Sequence, residues 1–187
     1  MNSKAILGIS TVVVLVILGF SVLKGNPSGD ELTGGTSGLT SSTAVSEQAP
    51  DFSLESFEGE TISLDEQQGK AVFVDFWAAW CPFCVEEMPE IEKIAQEFKD
   101  DLVVLGIHRT ETESVENGAK FAKDKGVTYP LLKDSDGSIY KAYTGGRNFM
   151  PTAAFINKEG KVVKFLYGPK TEDQMRQYVK EALGQAN

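Results

Sequence analysis

At 187 residues, 41% of them hydrophobic and 24% charged, the chain has the composition of an ordinary globular protein with enough apolar residues for one sizeable core, which excludes collagen-like and wholly disordered classes. A formal net charge of -9 denies it the basic patch that neutralises phosphates, so nucleic acid is excluded as a partner. The same charge would repel an anionic membrane surface unless something apolar held the chain there.

The amino terminus supplies such a segment. From Ala5 to Leu23 the run AILGISTVVVLVILGFSVL carries no charge and is bounded by Lys4 and Lys24. As a helix rising about 1.5 Å per residue it covers nearly all of a hydrocarbon core roughly 30 Å thick. It is longer than the apolar stretch of a cleaved signal peptide, and Phe20-Ser21-Val22-Leu23 offers no small-x-small cleavage site. Residues 1–24 therefore read as a retained signal anchor, one transmembrane helix that contacts the lipid bilayer through residues 5–23. The charge balance around it favours the amino terminus inside and the rest of the chain outside the cytoplasmic membrane. Residues 25–46, rich in Gly, Ser and Thr with no apolar period, read as a flexible linker.

Residues 47–187 form the expected folded unit. Ala49 to Leu54 and Thr61 to Leu64 are short alternating runs about the turn Phe57-Glu58-Gly59-Glu60, a hairpin pattern. AVFVDFW, residues 71–77, is almost unbroken in its apolar character, as a strand buried on both faces would be. Val85, Met88, Ile91, Ala95 and Phe98 recur at helical spacing and predict a helix from the cysteines to about Lys99. Leu102 to Ile107 supplies a second buried strand, and Ser114 to Lys125 a helix ended by Gly126. Two further strands are expected over Ala153 to Asn157 and Val162 to Tyr167, then a closing helix from Thr171 to Leu183. The fold class is α/β with a mixed central sheet flanked by helices, plus an added N-terminal β-hairpin.

Cys81 and Cys84 are the only cysteines, two residues apart where a buried strand meets a helix. A thiolate at a helix amino terminus is stabilised by the macrodipole and by free backbone N–H groups, which suits Cys81 to nucleophilic attack. Pro82 fits the first helical position, where its missing N–H is no loss. Cys84, one turn further in, is placed to resolve a mixed disulfide. The competing readings are weaker. A structural disulfide across so short a loop would constrain little chain entropy. Zinc needs four ligands, and beyond two thiols the chain has one histidine, His108. A Cu(I) carrier of two thiolates and that histidine stands as the metal-binding rival. His108 itself, just past an apolar run, reads as a solvated loop residue.

The segment Val74-Asp75-Phe76-Trp77-Ala78-Ala79-Trp80-Cys81-Pro82-Phe83-Cys84 resembles the active-site segment of thioredoxins. With Ala49-Pro50-Asp51-Phe52 upstream and Met150-Pro151-Thr152 downstream, the chain is similar to the TlpA/ResA/DsbE-type anchored thioredoxin-like proteins over residues 47–185. Peroxiredoxins share the Ala-Pro-Asp-Phe opening, but their Pro-x-x-x-Thr-x-x-Cys context is missing here. The resemblance implies a thioredoxin fold and an extracytoplasmic thiol-disulfide oxidoreductase that needs no cofactor. It implies reduction of disulfides in protein substrates such as apocytochrome c during cytochrome c maturation, with electrons from a membrane thiol carrier of the CcdA/DsbD type. A DsbA-like oxidant is the enzymatic alternative, because the inner dipeptide Pro82-Phe83 is neither the Gly-Pro of common thioredoxins nor the Glu-Pro of some ResA-like relatives.

The catalytic candidates are Cys81, Cys84, Asp75 and Glu87. Asp75 interrupts an apolar strand, where a carboxyl keeps its proton to higher pH, and it matches the buried acid of thioredoxins, an acceptor for the Cys84 proton. Glu87 lies one turn beyond Cys84 and matches an acidic residue near the active site of ResA-like proteins, whereas Glu86 reads as a solvated charge. Trp80, Pro82, Phe83, Met150 and Pro151 are the candidate substrate-binding residues. Met150-Pro151-Thr152 matches the family's cis-proline loop, and Pro89 its helix-kinking proline. Phe149 reads as a further apolar rim residue and Trp77 as core.

Overall fold

The computed structural model describes residues 47–185. The expected anchor over 1–24 and linker over 25–46 lie outside the described residues, among which no helix is long and apolar enough to cross a membrane. The expected hairpin is present as β1 (Ser53–Glu55) and β2 (Thr61–Ser63), antiparallel with Leu54 opposite Ile62. Gly59 in its turn adopts φ 93°, a conformation that glycine enters without steric cost.

Strand β3 (Ala71–Trp77) is buried along its whole length, as its unbroken apolar run predicts. It is the centre of a five-stranded sheet in the order β5-β4-β3-β6-β7. β4 (Leu102–His108) runs parallel to it and β5 (Leu131–Lys133) parallel to β4, whereas β6 (Thr152–Ile156) and β7 (Val162–Tyr167) are antiparallel additions on the other side. The sheet is therefore mixed. Side chains alternate along β3, so Phe73 and Trp77 enter the core under α1 (Pro82–Glu97) and α4 (Glu172–Ala182). Val72, Val74 and Phe76 enter the opposite core, under α3 (Ser138–Thr144) and the segment leading into the hairpin. Asp75 shares the face of Phe73 and Trp77. The helix α2 (Val115–Asp124) starts behind Ser114, whose hydroxyl accepts from the Asn117 N–H as a cap.

Three elements, β5, α3 and a single 3-10 turn over Asp65–Gln67, have no counterpart in the sequence reading. β5 has only three residues, too short to display a period. α3 has seven, and its cap residue Gly137 has no side chain to offer; instead the Asp134 carboxylate, three residues earlier, accepts from the N–H groups of Ile139 at 3.3 Å and Tyr140 at 2.8 Å. That cap comes from the loop just before the helix, outside the usual cap position, and seven residues are too few to display a helical stripe.

His108 corrects an expectation. It is the last residue of β4, in register with Trp77 and Lys133, and it is fully buried. Its ring lies 5.4 Å from that of Phe57 and 4.7 Å from that of Trp77. Space for it comes from Gly118 on α2, where a Cβ would stand 2.6 Å from Nε2. The strand runs one residue beyond the apolar run because the imidazole's polar atoms find partners inside the protein.

Candidate active site

β3 delivers the chain through the turn Ala78-Ala79-Trp80 to Cys81, which occupies the cap position of α1 with extended backbone angles. The Cys84 N–H donates to Cys81 Sγ at 3.2 Å, and Pro82 takes the first helical position. This is the local geometry the spacing predicts: the first sulfur sits where helix N–H groups are free. The two cysteines are joined as a disulfide with their Cα atoms 5.4 Å apart. Cys84 is wholly buried and Cys81 is 3% exposed, so what access the pair has is through Cys81. Trp80 (49%) and Phe83 (53%), which flank Cys81 and Pro82 in the chain, are large apolar side chains left in solvent, as is Phe149 (59%) in the loop before β6. Phe149 lies 5.6 Å from the ring of Tyr167, a further half-exposed aromatic.

Deeper on the same face lies a cluster of charge. Asp75 and Glu87 are both buried, while Glu86 is exposed as expected of a solvated helix position. Between the carboxylates stands Lys170, from the segment linking β7 to α4, itself buried. Its ammonium is 2.7 Å from Glu87 Oε2 and 3.4 Å from Asp75 Oδ1, and its main-chain N–H donates to Glu87 Oε1. Burial pushes the Asp75 carboxyl up to about 7, a rise that Lys170 opposes and Glu87 reinforces. Burial likewise raises Glu87, against the pull of the Lys170 charge and hydrogen bonds.

The loops around the pair are tied together from β4. The Arg109 N–H donates to the Trp77 carbonyl at 3.0 Å, and the Ala79 N–H donates to Glu113 Oε1, an oxygen that also lies 2.9 Å from His108 Nε2. His108 Nδ1 is 3.1 Å from the Thr110 hydroxyl. Both ring nitrogens of His108 are thus committed, which removes it from the copper reading as a ligand; burial lowers its pKa, opposed by Glu113. The Trp80 indole N–H donates to Thr112 Oγ1 at 3.0 Å. Arg109 reaches the other way as well, donating to Asn148 Oδ1 at 2.8 Å and stacking 4.0 Å over the Tyr140 ring.

The Met150–Pro151 bond is cis, the conformation that the resemblance implied. Met150 packs against the core cluster that contains both cysteines. The residue before it is held at both backbone atoms by one hydroxyl: Tyr140 Oη donates to the Phe149 carbonyl at 2.6 Å and accepts from the Phe149 N–H at 2.8 Å. Pro151 is buried, and its carbonyl accepts from the Gly168 N–H at 2.9 Å.

The structure therefore brings together Cys81, Cys84, Trp80, Pro82 and Phe83 at the start of α1, with Asp75 and Glu87 on the same face of the sheet. Lys170, Glu113, Arg109 and Tyr140 are the supporting residues that sequence reasoning misses. Lys170 is 95 residues from Asp75 and 83 from Glu87, and a single lysine after a proline carries no local signal. Tyr140 sits in a helix too short to be read. Glu113 precedes the α2 cap Ser114, where a lone acid looks like any solvated charge.

Comparison with known proteins agrees with this geometry. The model of the AhpC/TSA family matches residues 45–165. The thiol-disulfide oxidoreductase ResA of Bacillus cereus is 31% identical over 176 residues, covering 91% of this chain and 93% of that protein. The thioredoxin-like protein YneN of Bacillus subtilis is 36% identical over 134 residues, 70% of this chain and 76% of its own. Among solved structures, a thiol:disulfide interchange protein of the thioredoxin family from Chlorobium tepidum superposes with a TM-score of 0.67 at 29% identity, over 73% of this chain and 96% of that one. The chain belongs to the AhpC/TSA family, as a thioredoxin-fold thiol-disulfide oxidoreductase of the ResA and DsbE type.

Proposed function

We propose that the protein is a membrane-tethered reductase of protein disulfides that works outside the cytoplasm through a Cys81/Cys84 dithiol. The observation that carries the reading is the placement of Cys81 as the cap of α1, the more accessible sulfur, with Cys84 sealed one turn inside. In the reduced protein the Cys81 thiolate attacks a substrate disulfide, forming a mixed disulfide and releasing one substrate thiolate, which takes up a proton. Cys84, giving its proton to Asp75, then attacks Cys81; the Cys81–Cys84 bond forms and the second substrate thiol leaves. Two electrons pass to the substrate, and a membrane thiol carrier of the CcdA/DsbD type returns them. Trp80, Pro82, Phe83, Met150 and Pro151 form the surface that meets the substrate, an apolar rim suited to an unfolded chain such as apocytochrome c. The anchor at residues 5–23 is supported by the length and lack of charge of that segment and by a match to the Bacillus cereus relative that extends into it, since it takes in 91% of the chain.

The direction of transfer is tested by the reduction potential of the full-length protein, read from tryptophan fluorescence across thiol buffers. A potential near that of thioredoxin, roughly -270 mV, is expected; one near DsbA, roughly -120 mV, would make the protein an oxidant. A Cys84→Ser variant should accumulate a mixed disulfide with substrate at Cys81, and its failure to do so would remove Cys81 as the attacking sulfur.

A further inference from the structure

Lys170 meets Glu87 with two groups at once, the main-chain N–H on Oε1 and the ammonium on Oε2 at 2.7 Å. Asp75 receives less. Its Oδ1 accepts from the same ammonium at 3.4 Å, and its Oδ2, like Glu87 Oε2, forms no hydrogen bond among the described residues; what it lacks is the close 2.7 Å ion pair and the main-chain donor that Glu87 has. The cluster thus holds one cation and two groups able to be anions. With both carboxyls ionised it carries a net negative charge out of contact with water, a state that burial disfavours strongly. With one of them protonated it is neutral.

We propose that Lys170 is a positioning residue that decides which carboxyl keeps that proton: it holds Glu87 ionised as an internal counter-ion and leaves Asp75 as the exchangeable member, a carboxylic acid that first gives up its proton and only as the carboxylate accepts from Cys84. The assignment rests on the reading of Asp75 as the acceptor of the Cys84 proton, and it changes the part played by Glu87 from acid-base group to fixed charge. The other groups facing the cluster are few. Tyr129, from the segment before β5, is buried, has no partner for its hydroxyl among the described residues and feels the charges of Asp75, Glu92 and Glu87. Glu90 on α1 acts weakly on Glu87, and the redox pair lies at the head of the same helix. On either side of Asp75, β4 and β6 present only Gly106 and Ala153 in register.

The arrangement makes two substitutions act in opposite directions. Lys170→Met removes the cation, so both carboxyls hold their protons to higher pH. Glu87→Gln leaves Lys170 with Asp75 as its one carboxylate partner among the described residues, so Asp75 ionises more readily. A residue that merely packed would lower the melting temperature without moving either titration.

The experiment is a carbon-13 titration of the aspartate and glutamate carboxyls in the full-length disulfide protein in detergent micelles. Asp75 is expected to titrate near neutrality and Glu87 below it, with the Asp75 midpoint moving down by about one pH unit or more in Glu87→Gln and up by a similar amount in Lys170→Met. Should Lys170→Met fail to fold, Glu87→Gln alone decides. An Asp75 midpoint below that of Glu87, or one that stays or rises in Glu87→Gln, overturns the assignment. Rates of thiol exchange measured alongside separate the two readings: midpoints that move as stated while the rates ignore them support the role of Lys170 and dismiss Asp75 as the proton acceptor.

Discussion

Asp75 is a fully buried carboxylic acid in the centre of a strand that is otherwise apolar. Its pKa is raised on folding, to about 7, so between the ordinary carboxylate range and neutrality the folded protein binds more protons than the unfolded chain. Stability from this group is therefore fully present at acid pH and is lost as the pH rises through about 7. Asp75→Asn removes the titration. The variant should be more stable than the parent at pH 8, by more than about 1 kcal/mol, with the gap closing towards pH 5 as measured by denaturant unfolding. A constant gap across that range would mean that Asp75 does not titrate there. Gly118 makes a separate point. Alanine ordinarily stabilises a helix by about 1 kcal/mol over glycine. Here its Cβ would meet His108, whose ring is held by Thr110 and Glu113 and enclosed by Phe57 and Trp77. Gly118→Ala is expected to destabilise by about 1–3 kcal/mol despite its better propensity.

Each element presents its residues to the site for a different reason. β3 is apolar enough to be the central strand, and that position delivers the cysteines to the edge of the core. α1 needs Cys81 as its cap, so the attacking sulfur and the helix start coincide. α4 opens with a capping box in which Thr171 and Gln174 satisfy each other's backbone N–H groups, and the residue just before that cap is Lys170. α3 is the shortest α-helix among the described residues, yet its Tyr140 hydroxyl holds both backbone atoms of Phe149 next to the cis peptide. Tyr140→Phe removes that hydroxyl and leaves the Phe149 N–H unpaired, while the Phe149 carbonyl keeps the Thr152 hydroxyl at 2.6 Å. A loss of about 1–3 kcal/mol is expected in unfolding experiments. Since the loop it holds belongs to the proposed substrate surface, KM for a disulfide-bonded protein should rise while the reduction potential stays put.

On the scale of the whole molecule, an acidic chain with a net charge of -9 has no electrostatic reason to stay at an anionic bilayer. If residues 5–23 hold it there, the attachment is hydrophobic and indifferent to salt. The full-length protein should remain in the membrane fraction through high-salt washes and leave only with detergent, whereas residues 47–187 expressed alone should be soluble; release by salt would dismiss the tether. The exposed aromatics Trp80, Phe83 and Phe149 share the end of the domain where the redox pair lies, as a protein that acts on other polypeptides requires.

Much of this is legible in the order of residues because it depends on neighbours along the chain. The boundaries of β3, the start of α1 at the cysteine pair, the α2 and α4 caps and the hairpin all follow from period, punctuation and spacing over a few residues. Cys81 and Cys84 belong to that class, since two positions on one helical turn suffice to place two sulfurs together. Tertiary structure alone decided the rest. That Lys170 neutralises Glu87, that His108 is buried against Glu113 and that Tyr140 braces the cis peptide depend on segments brought together by the sheet order. Burial then sets the sign and size of every charge interaction among them, and it is a property of the fold that no stretch of sequence displays.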